Sequence, residues 1–231
     1  MALPVYLAMT AFEYEHCPSP PKNPGWMACH FSSYGEGLSN TPQQFPQGGI
    51  VMVNDQIPPA CHSSDLIVQQ LLQTVENFSP RAIVLDFQRP FQQLLRDIAQ
   101  EILSALPCPV VLTESYCKDW SGGVLLPPAA PHKPIEEHLR PWQGKDIWLE
   151  ISKAGESLLL TESGCQMQSL TELRSETVFR DEKLFCHYST QVADCQAVFS
   201  LWRTDKDLEQ LLDAAQSLGV TAAVGLYQEF S

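Results

Sequence analysis

Arg81-Ala82-Ile83-Val84-Leu85-Asp86-Phe87-Gln88 is the stretch on which the fold turns. In an extended chain successive side chains point to opposite faces, so Val84, Asp86 and Gln88 share one face and Ile83, Leu85 and Phe87 the other. A run that is apolar on both faces reads as a strand buried on both sides, as in a parallel sheet. Its polar end then lies where such a sheet opens onto solvent.

Similar apolar runs recur at residues 5–10, 26–31, 49–54, 110–114, 124–126, 147–151, 157–161, 184–188 and 221–227, most of them bounded by Pro or Gly. Helical periodicity fills several of the gaps. Residues 64–78 place Leu66, Ile67, Leu71, Leu72 and Val75 on one face, with Ser63 or Ser64 as the cap. Residues 91–106 do the same with Leu94, Leu95, Ile98, Ile102 and Leu103 between Pro90 and Pro107. Residues 204–218 carry Leu208, Leu211, Leu212 and Ala215 from a Thr cap to Gly219. Weaker helical patterns cover 134–140 and 168–179.

Strand and helix in alternation predict an α/β fold with a parallel sheet. About eight barrel strands in a chain of 231 residues predict a compact (β/α)8 TIM-like barrel with some outer helices missing. Residues 117–123 are too few for a helical crossover, and little chain follows the last strand. An open doubly wound sheet is the competing architecture. Residues 147–161 turn at Lys153-Ala154-Gly155-Glu156 and read as a β-hairpin: one barrel strand with an antiparallel appendage, or an insertion. No repeat or low-complexity linker divides the chain, so one domain over 1–231 is expected.

Composition narrows the function. With 27 acidic and 14 basic residues the net charge is −13, which argues against nucleic acid and anionic membranes as partners. No apolar run is long enough to span a bilayer. The start of the chain lacks the basic region of a secretory leader, so a cytoplasmic location is expected. Eight cysteines include no C-x-x-C pair, which removes the common zinc and redox motifs; reduced thiols are expected, with disulfides left open. Ser32-Ser33-Tyr34-Gly35-Glu36-Gly37, in the aromatic-rich loop 17–47, suits a lid better than a phosphate cradle, and no cofactor is expected.

In a barrel the chemistry sits at the C-terminal ends of the strands. Those ends supply Glu13 and Tyr14; Asn54, Asp55 and Gln56; Asp86, Gln88 and Arg89; Glu114 and Tyr116; His187 and Tyr188; and Tyr227, Gln228 and Glu229. Aromatic faces cover the C–H face of a sugar ring while carboxylates and amides hold its hydroxyls, so this rim points to a carbohydrate ligand.

The stretch 81–88 resembles the fourth strand of the chitinase-like barrels of glycoside hydrolase family 18, whose pattern is D-G-x-D-x-D-x-E with the last Glu as proton donor. Laid on that pattern, Ala82 takes the Gly position, Val84 the first inward Asp, Asp86 keeps the second, and Gln88 replaces the catalytic Glu. Cys186-His187-Tyr188-Ser189 is similar to the family's M-x-Y-D, with Tyr188 kept and Ser189 for Asp; Tyr227 falls where the family has a pocket-floor Trp. The resemblance implies a sugar-binding barrel with Asp86 and Gln88 at its catalytic position and Tyr188 and Tyr227 around the substrate; from their places at strand ends Asn54, Tyr116 and Arg89 are expected there too, Arg89 either on an anionic substrate group or bracing Asp86. The Gln88 amide cannot donate the proton that the family's reaction needs, so the barrel is expected to be carbohydrate-binding or catalytically degenerate.

Two readings compete. One is an active glycosidase with Glu114 and Glu229 as an ordinary carboxylate pair. The other is an interaction scaffold whose helix-poor flank is covered by a partner or a second copy, a homo-oligomer. A metal site from His30, His62, His187 and Asp55 has no regular spacing behind it, and a nucleophilic Cys117 or Cys186 beside His187 has no family signature.

Overall fold

The structure, a computed structural model, describes residues 2–35, 37–59, 64–170, 177–193 and 195–231. Its strands are β1 (Val5–Met9), β2 (Pro24–Phe31), the two-residue β3 (Leu38–Ser39), β4 (Ile50–Asn54), β5 (Ala82–Asp86), β6 (Val110–Thr113), β7 (Gly123–Leu126), β8 (Ile147–Ile151), β9 (Glu156–Thr161), β10 (Gly164–Ser169), β11 (Phe179–Asp181), β12 (Cys186–Ala193), β13 (Gln196–Trp202) and β14 (Val220–Leu226). The helices are α1 (Ala11–His16), α2 (Asp65–Phe78), α3 (Gln93–Ala105), α4 (Ile135–Leu139), α5 (Asp205–Ser217) and the single turn α6 (Tyr227–Phe230). No helix among the described residues is long and apolar enough to cross a membrane.

Eight strands run in the order β1-β14-β8-β7-β6-β5-β4-β2, and β1 pairs in parallel with β2, which closes the ring. Closure excludes the open sheet and makes β5 the fourth barrel strand, the place its sequence predicted. The interior holds Tyr6, Ala8, Ile50, Met52, Ala82, Val84, Val111, Leu125, Trp148, Ala222 and Val224, all buried. Their neighbours Val51, Val53, Ile83 and Leu85 are wholly buried on the other face, which is why these strands read as continuous apolar runs. Gly25 lets β2 into the ring: a Cβ there would stand 3.2 Å from the Ala8 Cα and 3.1 Å from the Ile50 side chain.

Outer helices are missing in part as expected, although the single turn α6 follows the last strand. Among the described residues no helix joins β2 to β4, and only the 3-10 turn Glu114–Tyr116 follows β6. α2 begins after Ser64, whose hydroxyl bonds Glu101 rather than capping the helix, and stops at Ser79 in the left-handed region. Ser63 lies outside the described residues.

The chain divides into two compact units. One, Pro4–Pro127, Lys145–Glu150 and Thr221–Ser231, contains the ring apart from its terminal residues Ile151 and Val220. The other, Met1–Leu3, Pro128–Gly144 and Ile151–Val220, contains α4, α5 and an antiparallel sheet ordered β10-β9-β13-β12-β11. In this second unit Thr204 and Asp207 form a capping box at the start of α5, and Asp207 also binds Arg180 of β11 and His187 of β12. The capping acid thus ties the helix to its own sheet.

Two expectations are corrected here. Residues 184–188 are not a barrel strand: β12 pairs antiparallel with β11 and β13 in the second sheet. The helix expected over 168–179 gives way to strand at both ends, Gln168 and Ser169 in β10 and Phe179 in β11; its middle, 171–176, lies outside the described residues. The antiparallel appendage is present, but its hairpin is β9 with β10; residues 152–155 lead from the barrel strand β8 into it.

Candidate functional site

The site grows from the parity of the barrel strands. Ala82 and Val84 of β5 are in the interior cluster, so Asp86, two residues on, ends the same inward face. Ile50 and Met52 do this for Asn54 in β4, and Asn54 is the register partner of Asp86. Trp148 does it for Glu150 in β8. Asp86 and Glu150 are half-buried at the C-terminal ends of barrel strands four and seven, and Glu114, also half-buried, starts the turn after strand five.

Burial, assisted by the nearby Asp55 carboxylate, raises the Asp86 carboxyl above its usual range even though the Gln88 side-chain amide donates to its Oδ1. Burial, with the Asp86 and Glu114 carboxylates beside it, pushes the Glu150 carboxyl up to about 7. Glu150 therefore feels both carboxylates and is partly protonated near neutral pH. Beneath them Trp148 is stacked on Tyr6, ring centroids 5.5 Å apart. Around the inward end of β5, Asn54 donates to the Met27 carbonyl (3.2 Å) and accepts from the Gln56 N–H (3.2 Å), so its amide is held in place.

Asp55 has a structural task. It is 2 % exposed and accepts the backbone N–H groups of Gln88 (2.9 Å) and Arg89 (3.0 Å), which fixes the turn that carries Gln88. Arg89 braces the same turn: its guanidinium donates to the carbonyls of Asp55 (2.7 Å) and Gln56 (2.6 Å). Tyr116, expected around the substrate, is in the core. It is wholly buried between Phe87 and Phe91, and its hydroxyl donates to the carbonyls of Arg89 and Pro90. Tyr188 belongs to β12, stacked on Phe179 at 5.4 Å, so the M-x-Y-D likeness falls outside the barrel.

Tyr227 opens α6 with its hydroxyl 3.1 Å from the Cys17 Sγ, while the inward face of β14 is Ala222 and Val224. Glu229 is half-buried on α6, and the carboxylate the structure brings to Glu114 is Glu150. Glu13 is committed to capping α1, taking the Thr10 N–H at 2.8 Å and its hydroxyl at 2.9 Å.

The nucleophile reading fails on chemistry: burial pushes the Cys117 thiol up to about 12 and the Cys186 thiol to about 11, far from a thiolate at neutral pH. All seven described cysteines are free; Cys61 lies outside the described residues. His30 is held by the Phe31 carbonyl (2.8 Å) and by Asn40 (3.1 Å), His187 by Asp207, and His62 lies outside the described residues. Of the expected lid, Trp26, Phe31 and Phe45 are buried, and Tyr34 is 98 % exposed.

Glu150 is the residue the sequence reading missed. Its signal was available in Ile147-Trp148-Leu149-Glu150-Ile151: once residues 147–151 are a barrel strand, alternation puts Trp148 and Glu150 on one face.

No protein-family model and no curated protein matches the sequence. Solved structures do match in fold. A family-18 chitinase of Cycas revoluta, a double mutant in complex with (GlcNAc)4, superposes with a TM-score of 0.63 at 10 % identity over 97 % of this chain and 94 % of that one. A chitinase-like agglutinin of Robinia pseudoacacia gives 0.62 at 9 % identity, covering 98 % and 95 %. The spore cortex-lytic enzyme SleL of Bacillus cereus gives 0.59 at 12 % identity, covering 97 % and 70 %. The fold is thus that of a distant chitinase-like family-18 barrel.

Proposed function

We propose that the barrel mouth binds a neutral carbohydrate and does not run family-18 hydrolysis from its fourth strand. The observation that carries this reading is the pair at the end of β5, Asp86 inward and half-buried with the Gln88 amide bonded to it. An amide occupies the place where the resembling family has its acid, and an amide delivers no proton at neutral pH. Carboxylate and amide together suit sugar hydroxyls. A similar barrel that carries a Glu-to-Gln change is in complex with (GlcNAc)4, which supports reading such a mouth as a sugar site. Calorimetric titration with N-acetylglucosamine, cello- and xylo-oligosaccharides tests it. At least one series binds, and Asp86→Ala weakens that binding about tenfold or more, about 1.4 kcal/mol. A wild-type protein that binds none of them sinks the proposal.

One observation favours a second reading. Glu150, protonated near neutral pH, beside Glu114 gives the mouth an acid and a base although strand four has lost its own. In that reading Glu150 gives its proton to the leaving glycosidic oxygen as the C–O bond breaks, and Glu114 takes a proton from the attacking water. Release of nitrophenol from aryl glycosides, falling as pH rises through about 7 and lost in Glu150→Gln, is the expected result. No release from the wild-type protein leaves binding alone.

A further inference from the structure

The second unit contains a cavity of about 410 Å³ that the barrel reading does not use. Arg203 lies against it and is only 7 % exposed. A guanidinium has five N–H donors. Four are spent on backbone carbonyls: Nε on Phe185 (3.2 Å), Nη2 on Ala130 and Leu184 (3.3 Å each), and one N–H of Nη1 on Ala129. The fifth, on Nη1, has no partner among the described residues, and no described carboxylate lies within 4.0 Å of the group. Neutral carbonyls satisfy the geometry of this buried cation, and the Glu156 and Asp207 carboxylates act on its charge only from a distance, so no anion among the described residues is in direct contact with it.

An anion entering the cavity would spend the last N–H in a charge-assisted bond. The same cavity is lined by a charge of the opposite sign, Glu156, which takes the N–H of His132 at 2.8 Å. Pro128, Pro131 and Met167 supply apolar wall between polar groups. The volume lies within the range of small-molecule sites, roughly 300–1,000 Å³.

We infer that this cavity binds a small amino-acid-type zwitterion, its carboxylate on Arg203 and its ammonium on Glu156. The site is independent of the barrel mouth. Saturation-transfer NMR on the full chain, with each of the common amino acids, acetate and ethylamine in turn, tests it. At least one amino acid receives saturation, and acetate and ethylamine receive much less, because each supplies only one of the two charges. Arg203 also ties loops together, so its replacement can unfold the unit. Met167→Trp avoids this, since Met167 is an exposed wall residue whose enlargement fills the cavity; it abolishes the transfer while the circular dichroism spectrum stays unchanged. Glu156→Gln weakens binding about tenfold. Absence of transfer to every amino acid, transfer that survives Met167→Trp, or acetate binding as tightly as the best amino acid would overturn the inference.

Discussion

Two carboxylates, one in each unit, titrate in opposite directions. Asp207, 1 % exposed in the second unit, accepts from the Thr204 N–H (2.9 Å), the Thr204 hydroxyl (2.6 Å), Arg180 Nε (3.0 Å) and His187 Nδ1 (2.7 Å). Burial by itself would raise it, and those donors outweigh burial and hold it at about 2. Glu150, in the barrel unit, is pushed up to about 7: burial raises it most, and the Asp86 and Glu114 carboxylates beside it add to that rise where donors offset it at Asp207. The difference teaches that the supply of donors, rather than depth, separates an acid that holds a fold together from one poised to exchange a proton.

That contrast can be broken by substitution. The largest effect belongs to Asp207→Asn, which removes the capping charge and leaves Arg180 without its buried partner. Urea unfolding at pH 7 loses about 2–4 kcal/mol of stability. The folded-state value is depressed, so this contribution is present above the ordinary carboxylate range and is lost as pH falls from about 4 through about 2; the gap between variant and wild type closes there. A gap that persists at pH 2 would mean that shape, not charge, sets the role of Asp207.

Glu150→Gln has the opposite sign. A raised carboxyl favours the folded state only while it is protonated, so wild-type stability falls as pH rises from about 4.5 through about 7. The variant should unfold at a higher urea concentration than wild type at pH 8, by about 1–3 kcal/mol, and match it at pH 4. Equal stabilities at both pH values would remove the contrast. The smallest effect sharpens it: Thr10→Ala breaks the capping box of α1, a six-residue helix with no buried residue, and costs about 0.5–1 kcal/mol in thermal unfolding. The equivalent box at Thr204 also serves the sheet through Asp207, so a cost at Thr10 as large as that of Asp207→Asn would show that capping alone explains both.

Much of the barrel was legible. The runs at 82–88, 110–114, 124–126 and 147–151 became β5 to β8 with small shifts at their ends, since burial on both faces leaves an unbroken apolar signature. The helix at 204–218 was readable from its Thr cap and Gly219, which adopts φ 100°. The second sheet was hard to see, because β10 is exposed along its whole length and its residues Gly164-Cys165-Gln166-Met167-Gln168-Ser169 carry little apolar pattern. In the site, Asp86 was placed by alternation, whereas Asn54, Tyr116, Tyr188 and Arg89 were chosen as polar or aromatic residues at strand ends. The partners of the last three, the Pro90 carbonyl, the Phe179 ring and the Asp55 carbonyl, are set by packing between segments remote in sequence or by the course of a loop.

The amino-acid order by itself determined that parallel strands would alternate with helices, some of them missing, and that an amide would follow the strand at 82–86. Local periodicity and side-chain type are enough for both. Only the tertiary structure decided that Glu150 would meet Asp86 and Glu114, and that Arg203 would be buried among carbonyls. Proton affinity and charge compensation depend on neighbours brought together across tens of residues, and no window along the chain contains them.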